Sequence, residues 1–215
     1  MDKVKIDGAA KRASYHHGDL RRQLLAAAEA IILERGVDGF TLREAARRAG
    51  VSPAAPAHHF KDARGLLTEV ALLGFREFGQ ALEAADRRGG GDPGRRLAEQ
   101  AQAYVRFALE HPARFQLMFR PEKLDPANAA FAAAARHAYG VLEAAIRAAT
   151  ATPLGVALTP DGHGLLLSVW SVVHGFSHLA LGGQLRDVAG EAAGRDIVLE
   201  TLLPSMLRHL PVVGS

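Results

Sequence analysis

Apolar residues recur at three- and four-residue spacing along most of this chain, the period of helices that bury one side. Leu20, Leu24, Ala27, Ala28 and Ile31 predict a helix over residues 18–35, which Gly36 stops. Two short helices, 42–49 and 53–60, follow around Gly50. A longer one over 64–86 carries Leu66, Leu67, Val70, Leu73, Phe78 and Leu82. The run RRGGGDPG at 87–94 reads as a linker, and Asp92-Pro93 restarts a helix that ends near His111-Pro112. A short apolar segment, Phe115 to Phe119, precedes a break from Pro121 to Pro126. Helices are then expected over 126–150, over 161–182 behind Thr159-Pro160, and over 195–210. No segment alternates with the strand period, so the expected class is all-α with about nine helices.

Within this pattern, residues 41–60 (TLREAARRAGVSPAAPAHHF) are the most specific. Thr41 and Glu44 have the spacing of a capping box, in which the threonine oxygen and the glutamate each satisfy an orphan amide. Gly50 suits a left-handed helix stop. Ser52 can cap the next helix, and Pro53 suits its first position. Two short helices around a glycine turn describe a helix-turn-helix, whose second helix enters the major groove in DNA-binding versions. DNA is therefore the first partner to consider.

Charge supports that partner. The net charge is +3, but residues 1–61 hold 11 Lys+Arg against 7 Asp+Glu while 62–215 hold 15 against 16. Residues 1–16, with Lys3, Lys5, Lys11 and Arg12, read as a flexible basic arm. A basic small region on a near-neutral larger one is the electrostatic footprint expected for phosphate. The chain has no cysteine, which excludes disulfides and thiolate metal sites. MDKVKIDGAAKR has no apolar run, so it is not expected to act as a secretory signal, and a cytoplasmic location is expected. Residues 164–183 carry no Asp, Glu, Lys or Arg and approach spanning length. Their histidines, serines and glycines, without a flanking basic cluster, favour a helix buried in a core or dimer interface over a membrane span.

A helix ahead of a helix-turn-helix, then a long connecting helix and a helical body, resembles the tetracycline-repressor (TetR/AcrR) family of bacterial transcriptional regulators. The residues carrying the resemblance are Ala28 to Ala30, Gly36, Phe40-Thr41, AARRAGVS at 45–52, His59-Phe60, Leu66-Leu67 and Val70. YHHGDLR at 15–21 and WSVVHGF at 170–176 resemble a branch with a Trp-x-x-x-His-Gly signature in its C-terminal domain. The resemblance implies a DNA-binding domain at 17–79 and a ligand-binding and dimerisation domain at 80–215. It implies a homodimer, joined by the last two long helices, that binds an operator. A small-molecule effector in the C-terminal domain then changes its affinity for DNA. Two recognition helices about 34 Å apart match successive major grooves of a pseudo-palindrome. Repression is the expected sense of control, and no cofactor is implied.

Thr41, Arg43 and Arg47 stand where family members grip phosphates, contacts that set register without reading sequence. In the second short helix, Pro53, Ala54, Ala55 and Ala57 offer no side-chain hydrogen bonds, so bidentate readout of base edges is impossible there. Polar capacity rests on Ser52, His58, His59 and Lys61. Weak direct readout, with DNA shape contributing more, is therefore expected. Ala57 stands at a position where the family usually has a phosphate-touching Tyr, and Ala63 replaces a common Lys.

The candidate effector pocket combines Phe107, Phe115, Met118, Phe119, Tyr139 and Trp170 with His174 and His178, since ligand sites are largely apolar with a few polar fixtures. His174 and His178 are four apart, close to a zinc spacing, but the HExxH motif would need Glu where Gly175 stands. Core histidines or polar anchors are the favoured reading. His58 and His59 with His16 and His17 make no convincing metal site either. Two rivals remain at this point: a helical enzyme using the C-terminal cavity, and a DNA-binding protein without an effector. No nucleophile–base or paired-carboxylate pattern supports the enzyme.

Overall fold

A computed structural model describes residues 7–190 and 194–209, with side chains from Asp19 onward except that of Ala189. Among the described residues the fold is all-helical and contains no strand. Helix α1 (Asp7–Arg35) begins eleven residues before the periodicity predicts, so residues 7–16 of the expected arm are helical. Lys3 and Lys5 lie outside the described residues, as do the side chains of Lys11, Arg12, His16 and His17.

Helix α2 (Leu42–Arg48) starts at Thr41, whose hydroxyl accepts the Glu44 amide at 3.2 Å. The second half of the capping box does not form. Glu44 turns instead to the guanidinium groups of Arg47 and Arg48, because charge-assisted bonds outcompete a neutral amide. Helix α2 ends in a Schellman motif: Val51 N–H reaches the Ala46 carbonyl at 3.0 Å, Gly50 N–H reaches Arg47, and Gly50 takes the left-handed position with φ 67°. Ala45 and Ala46 are fully buried; Ala45 packs with Ala27 and Ile31 of α1.

The second short helix differs from expectation. Only α3 (Ala57–Phe60) is α-helical, and residues 53–56 form tight turns closed by i→i+3 bonds such as Ala55 N–H to the Ser52 carbonyl. Pro56 is the reason: it lacks the amide that would bond Ser52, and it disfavours helical backbone at Ala55. Ser52 therefore caps no helix. Lys61 follows with φ 69° and ψ −58°, and Asp62 N–H bonds the Phe60 carbonyl at 2.8 Å, a strained γ-turn.

Asp62 caps α4 (Ala63–Gly89), which runs unbroken from the helix-turn-helix into the body. The expected domain boundary at 79/80 thus falls inside a helix. The glycine-rich run is a tight turn of Gly90 to Asp92, with α5 (Pro93–Glu110) capped by Asp92. A Cβ on Gly89 would sit 2.4 Å from the Arg96 Cα, so the glycine permits close crossing of α4 and α5. Next come α6 (Pro112–Met118), a 3-10 turn at Pro121–Lys123, and α7 (Ala129–Ala149), which starts behind the Asn128 cap. Helix α8 (Pro160–Leu181) is capped by Thr159. The glycine- and alanine-rich loop includes α9 (Leu185–Ala189). The last helix is not uniform: α10 (Arg195–Ile197) passes through a π-helical segment, Val198–Leu202, into α11 (Leu203–Leu207). Pro204 has no amide for the Glu200 carbonyl, and the preceding turn widens to compensate. Leu210 of the predicted helix lies outside the described residues.

One continuous core joins both parts, from Leu24 and Phe60 through Val70 and Phe78 to Phe115, Val173 and Leu203. Helix α8 is long and apolar enough to cross a membrane, yet Leu166, Val169, Val173 and Phe176 are buried against the rest of the protein. Helix α7 also closes in a Schellman motif, but with Ala151 at φ 49° in the left-handed position. Ala151→Gly should raise stability by up to about 1 kcal/mol, seen as a melting-temperature rise of roughly 2–4 °C. An unchanged or lower melting temperature would mean this backbone carries no strain.

Candidate DNA interface and ligand cavity

The helix-turn-helix presents Thr41, Arg43, Arg47, Ser52, Pro53, Ala54, Ala57, His58 and Lys61 as exposed residues, with Ala55 and His59 half-buried. Phe60 holds the unit from inside, buried in the main core, with the Arg21 guanidinium 5.5 Å above its ring. Arg43 makes no ion pair among the described residues. Arg47, in contrast, is held by Glu44 at 2.7 and 2.8 Å. Arg48 is a strap between helices: it bonds both oxygens of Glu34 on α1 at 2.8 and 2.6 Å and Glu44 at 2.9 Å.

Those hydrogen bonds from Arg47 and Arg48 pull the Glu44 carboxyl down from its ordinary 4.5 to about 2. A depressed carboxyl stabilises the fold above its unfolded value and loses that contribution as pH falls through its folded value. The Glu44 contribution is therefore complete above about pH 4.5 and gone near pH 2. Glu44→Gln should flatten the pH dependence of stability in that window and leave the curve above it unchanged in shape. Acid titration of melting temperature checks this, and a Glu44→Gln curve parallel to wild type would refute it.

A cavity of about 390 Å³ opens between α4, α5, α6, α7 and α8. Of the residues expected there, Met118, Phe119, Tyr139 and Trp170 line it. The other four do not. Phe107 and Phe115 are buried at 3% and 0% exposure, filling space between helices. His174 turns its Nδ1 to the Tyr104 hydroxyl at 2.7 Å, and its ring packs against Phe119 and His178. His178 packs at a tilt against Phe115 from an exposed position. Burial, then the neighbouring His178, lowers the His174 pKa and favours the neutral ring. Burial raises the Tyr104 hydroxyl, only partly offset by Trp170, so it stays protonated. No cluster that could hold a metal occurs among the described residues.

The structure adds lining residues beyond those expected: Phe75, Phe78, Gln100, Tyr104 and Phe131. Gln100 carried a signal. It interrupts the stripe Leu97, Ala101, Tyr104 with a polar group at a core position, and it is 3% exposed.

Ion pairs connect this cavity to the DNA-binding part. Helix α6 and its following turn supply Met118, Phe119 and Pro121 to the wall. The same segment sends Arg114 to Glu29 of α1 at 2.9 Å and to Glu77 of α4. Its Arg120 and Lys123 both reach Asp38, in the turn between α1 and α2, at 3.0 and 2.5 Å.

The sequence profile described as "Bacterial regulatory proteins, tetR family" matches residues 24–70, and the one described as "Tetracyclin repressor-like, C-terminal domain" matches 97–203. The chain belongs to the TetR family. As a TetR-family protein it is a DNA-binding transcription regulator. A solved protein of unknown function from Rhodococcus sp. RHA1 is 36% identical, with 91% of this chain and 97% of that one covered and a TM-score of 0.69. The TetR-family regulator PfmR from Thermus thermophilus is 25% identical over 84% and 95% of the two chains, with a TM-score of 0.63. AibR, solved with isovaleryl coenzyme A and operator DNA, shares the fold at 18% identity, covering 89% and 97%, with a TM-score of 0.67. No curated protein sequence matches the chain.

Proposed function

We propose that this TetR-family regulator is a repressor that binds a pseudo-palindromic operator as a homodimer and releases it when an effector fills the cavity. The observation that carries the reading is the pairing of an exposed helix-turn-helix with an apolar cavity through one short segment, α6 and its turn. That segment forms part of the cavity wall and holds Glu29 and Asp38 of the DNA-binding part. An effector that moves Met118, Phe119 or Pro121 must therefore move the cations on those carboxylates. Its differential affinity for the two arrangements sets how far DNA binding changes.

Dimerisation through α8 is supported by an open stripe on that helix. Gly164, Leu167, Ser168, Ser171, Gly175, His178 and Leu179 are exposed at helical spacing, and a Cβ on Gly164 or Gly175 would meet nothing within 4 Å. A second copy packed there covers the apolar residues. The terminal helix is π-helical at Val198–Leu202 and departs there from the regular helix that the sequence suggests.

On DNA, the Thr41 hydroxyl is free to donate to phosphate, since its oxygen accepts the Glu44 amide. Arg43 needs no rearrangement. Arg47 must leave Glu44, a small cost for an exposed pair that Arg48 continues to neutralise. The γ-turn at Lys61 aims a further cation from beside α3. Ser52 to Ala57 present backbone and small apolar groups, suited to close approach and thymine methyls, with His58 and His59 as polar edges.

The test begins with an operator selected from random DNA. Arg43→Ala and Lys61→Ala should each weaken binding roughly three- to tenfold and lower the slope of log affinity against log salt by about one. Arg47→Ala should weaken binding by less, because Glu44 competes for it. Variants that bind with the wild-type affinity and salt slope would remove these residues from the interface.

A further inference from the structure

Gln100 lines the cavity, and its buried Oε1 has no hydrogen-bond partner among the described residues. The amide's orientation is fixed from its other end. Nε2 donates to Asp86 Oδ1 at 2.7 Å and to the Val141 carbonyl at 3.4 Å, and neither acceptor would tolerate the oxygen in its place. A buried acceptor left unmade costs more than an ordinary hydrogen bond gains, so native structures rarely keep one without a use. Asp86 also accepts both arms of Arg96 at 2.8 Å, which holds the carboxylate in line behind the amide. A carboxylate drawing on Nε2–H polarises the amide and makes Oε1 the stronger acceptor.

The rest of the wall is apolar or aromatic. It includes Phe75, Phe78, Phe131 and Trp170, and it contains no Lys, Arg, Asp or Glu. The nearby cation Arg96 is engaged by Asp86. No cation in the wall compensates a phosphate or carboxylate, and Oε1 repels either. A buried ammonium would likewise find no counter-charge in the wall. We propose that the cavity selects an uncharged, mainly apolar effector carrying a hydrogen-bond donor, a hydroxyl or amide N–H, read by Gln100 Oε1. This deepens the ligand-site reading above and rests on it.

Trp170, the only tryptophan of the chain, lies in the wall and reports occupancy by its fluorescence. Four probes share one ring system: 2-naphthol, 2-methoxynaphthalene, 2-naphthoate and 2-naphthylmethylamine. On the full-length protein, 2-naphthol should bind roughly tenfold more tightly than the ether, as expected for one neutral bond to an otherwise unpaired acceptor. The anion and the ammonium should bind more weakly than 2-naphthol. Gln100→Leu, which keeps the volume, should bring the ratio of naphthol to ether near one while the ether still binds. Gln100→Asn, which keeps an amide but shortens its reach, should do the same and guards against a folding defect in the first variant. Equal binding of naphthol and ether, tighter binding of either charged probe, or an unchanged ratio in both variants overturns Gln100 as the reader and leaves the cavity a ligand site. Absence of any Trp170 response and of any melting shift with all four probes overturns the ligand site itself.

Discussion

Gly65→Ala should unfold the corner between α3 and α4 and abolish operator binding. A Cβ at this position would lie 2.0 Å from the Phe60 carbonyl oxygen and 3.1 Å from its carbon. The obstacle is backbone, and three bonds pin it. Asp62 N–H holds the Phe60 carbonyl, the Asp62 carboxylate holds Gly65 N–H, and the Leu66 amide bonds the Asp62 carbonyl. No rotamer change relieves the clash, so the γ-turn at Lys61 or the first turn of α4 must open. Overpacking of this kind costs about 3 kcal/mol, a melting-temperature loss of roughly 6–12 °C for a chain of this length. Phe60 would lose its seat beneath Arg21, and the exposed face from Ala57 to Lys61 would lose its aim. Gly140→Ala is the control: this exposed glycine within α7 has nothing within 4 Å of a Cβ. It should gain about 0.5–1 kcal/mol from helix propensity. Wild-type melting and DNA binding in Gly65→Ala would show that the corner relaxes freely.

That corner also marks where the sequence stops being legible. Helix positions and their caps follow from local chemistry: Thr41, Asp92, Asn128 and Thr159 each accept amides in the first turn of their helices, as short polar side chains before an apolar stripe should. The Gly50 stop is equally local. Residues 53–56 escape the same reasoning because Pro53 fits a helix start while Pro56, three residues on, forbids the bond that would continue it. The fate of Glu44 depends on Arg47 and Arg48 outcompeting one amide, a contest that spacing does not rank. Pro204 is a visible warning against a uniform last helix, but the π-helical form of the compensation is set by packing.

The candidate site divides in the same way. Exposure of the DNA-facing residues follows from helix period and the burial of Ala45, Ala46, Pro56 and Phe60. The cavity depends on which aromatic rings meet between five helices, and no one-dimensional pattern separates a ring that lines a void from one that fills it. Met118 and Phe119 line the void while Phe115, on the same short helix as Met118, fills the core. Gln100 could have been found as a polar residue on a buried stripe, but its value as a recognition atom comes from Asp86, fourteen residues away and on another helix.

The core role of Phe115 leads to the other large effect: Phe115→Ala should cost about 3–5 kcal/mol of stability. The ring is 0% exposed and contacts Tyr104 of α5 at 5.7 Å between centroids, Phe119 at 5.2 Å, and His174 and His178 of α8 at 5.6 and 5.5 Å. Its removal leaves a void that three helices must close together, and α6 is anchored by Arg114 to Glu29 and Glu77, which limits its movement. The cost therefore stays near the unrelaxed value. Tyr139→Ala makes the contrast, since Tyr139 lines the cavity at 42% exposure with one ring neighbour, Trp170. It should change stability by less than about 1 kcal/mol and act on probe affinity instead. Urea unfolding followed by circular dichroism, beside Trp170 fluorescence titrations, separates the two. A Phe115→Ala variant that unfolds at the wild-type urea concentration but loses probe binding would return Phe115 to the cavity wall. Because the ring touches α5, α6 and α8 together, the variant should also loosen the segment that carries Arg120 and Lys123 to Asp38, and any effector response of DNA affinity should fall along with stability.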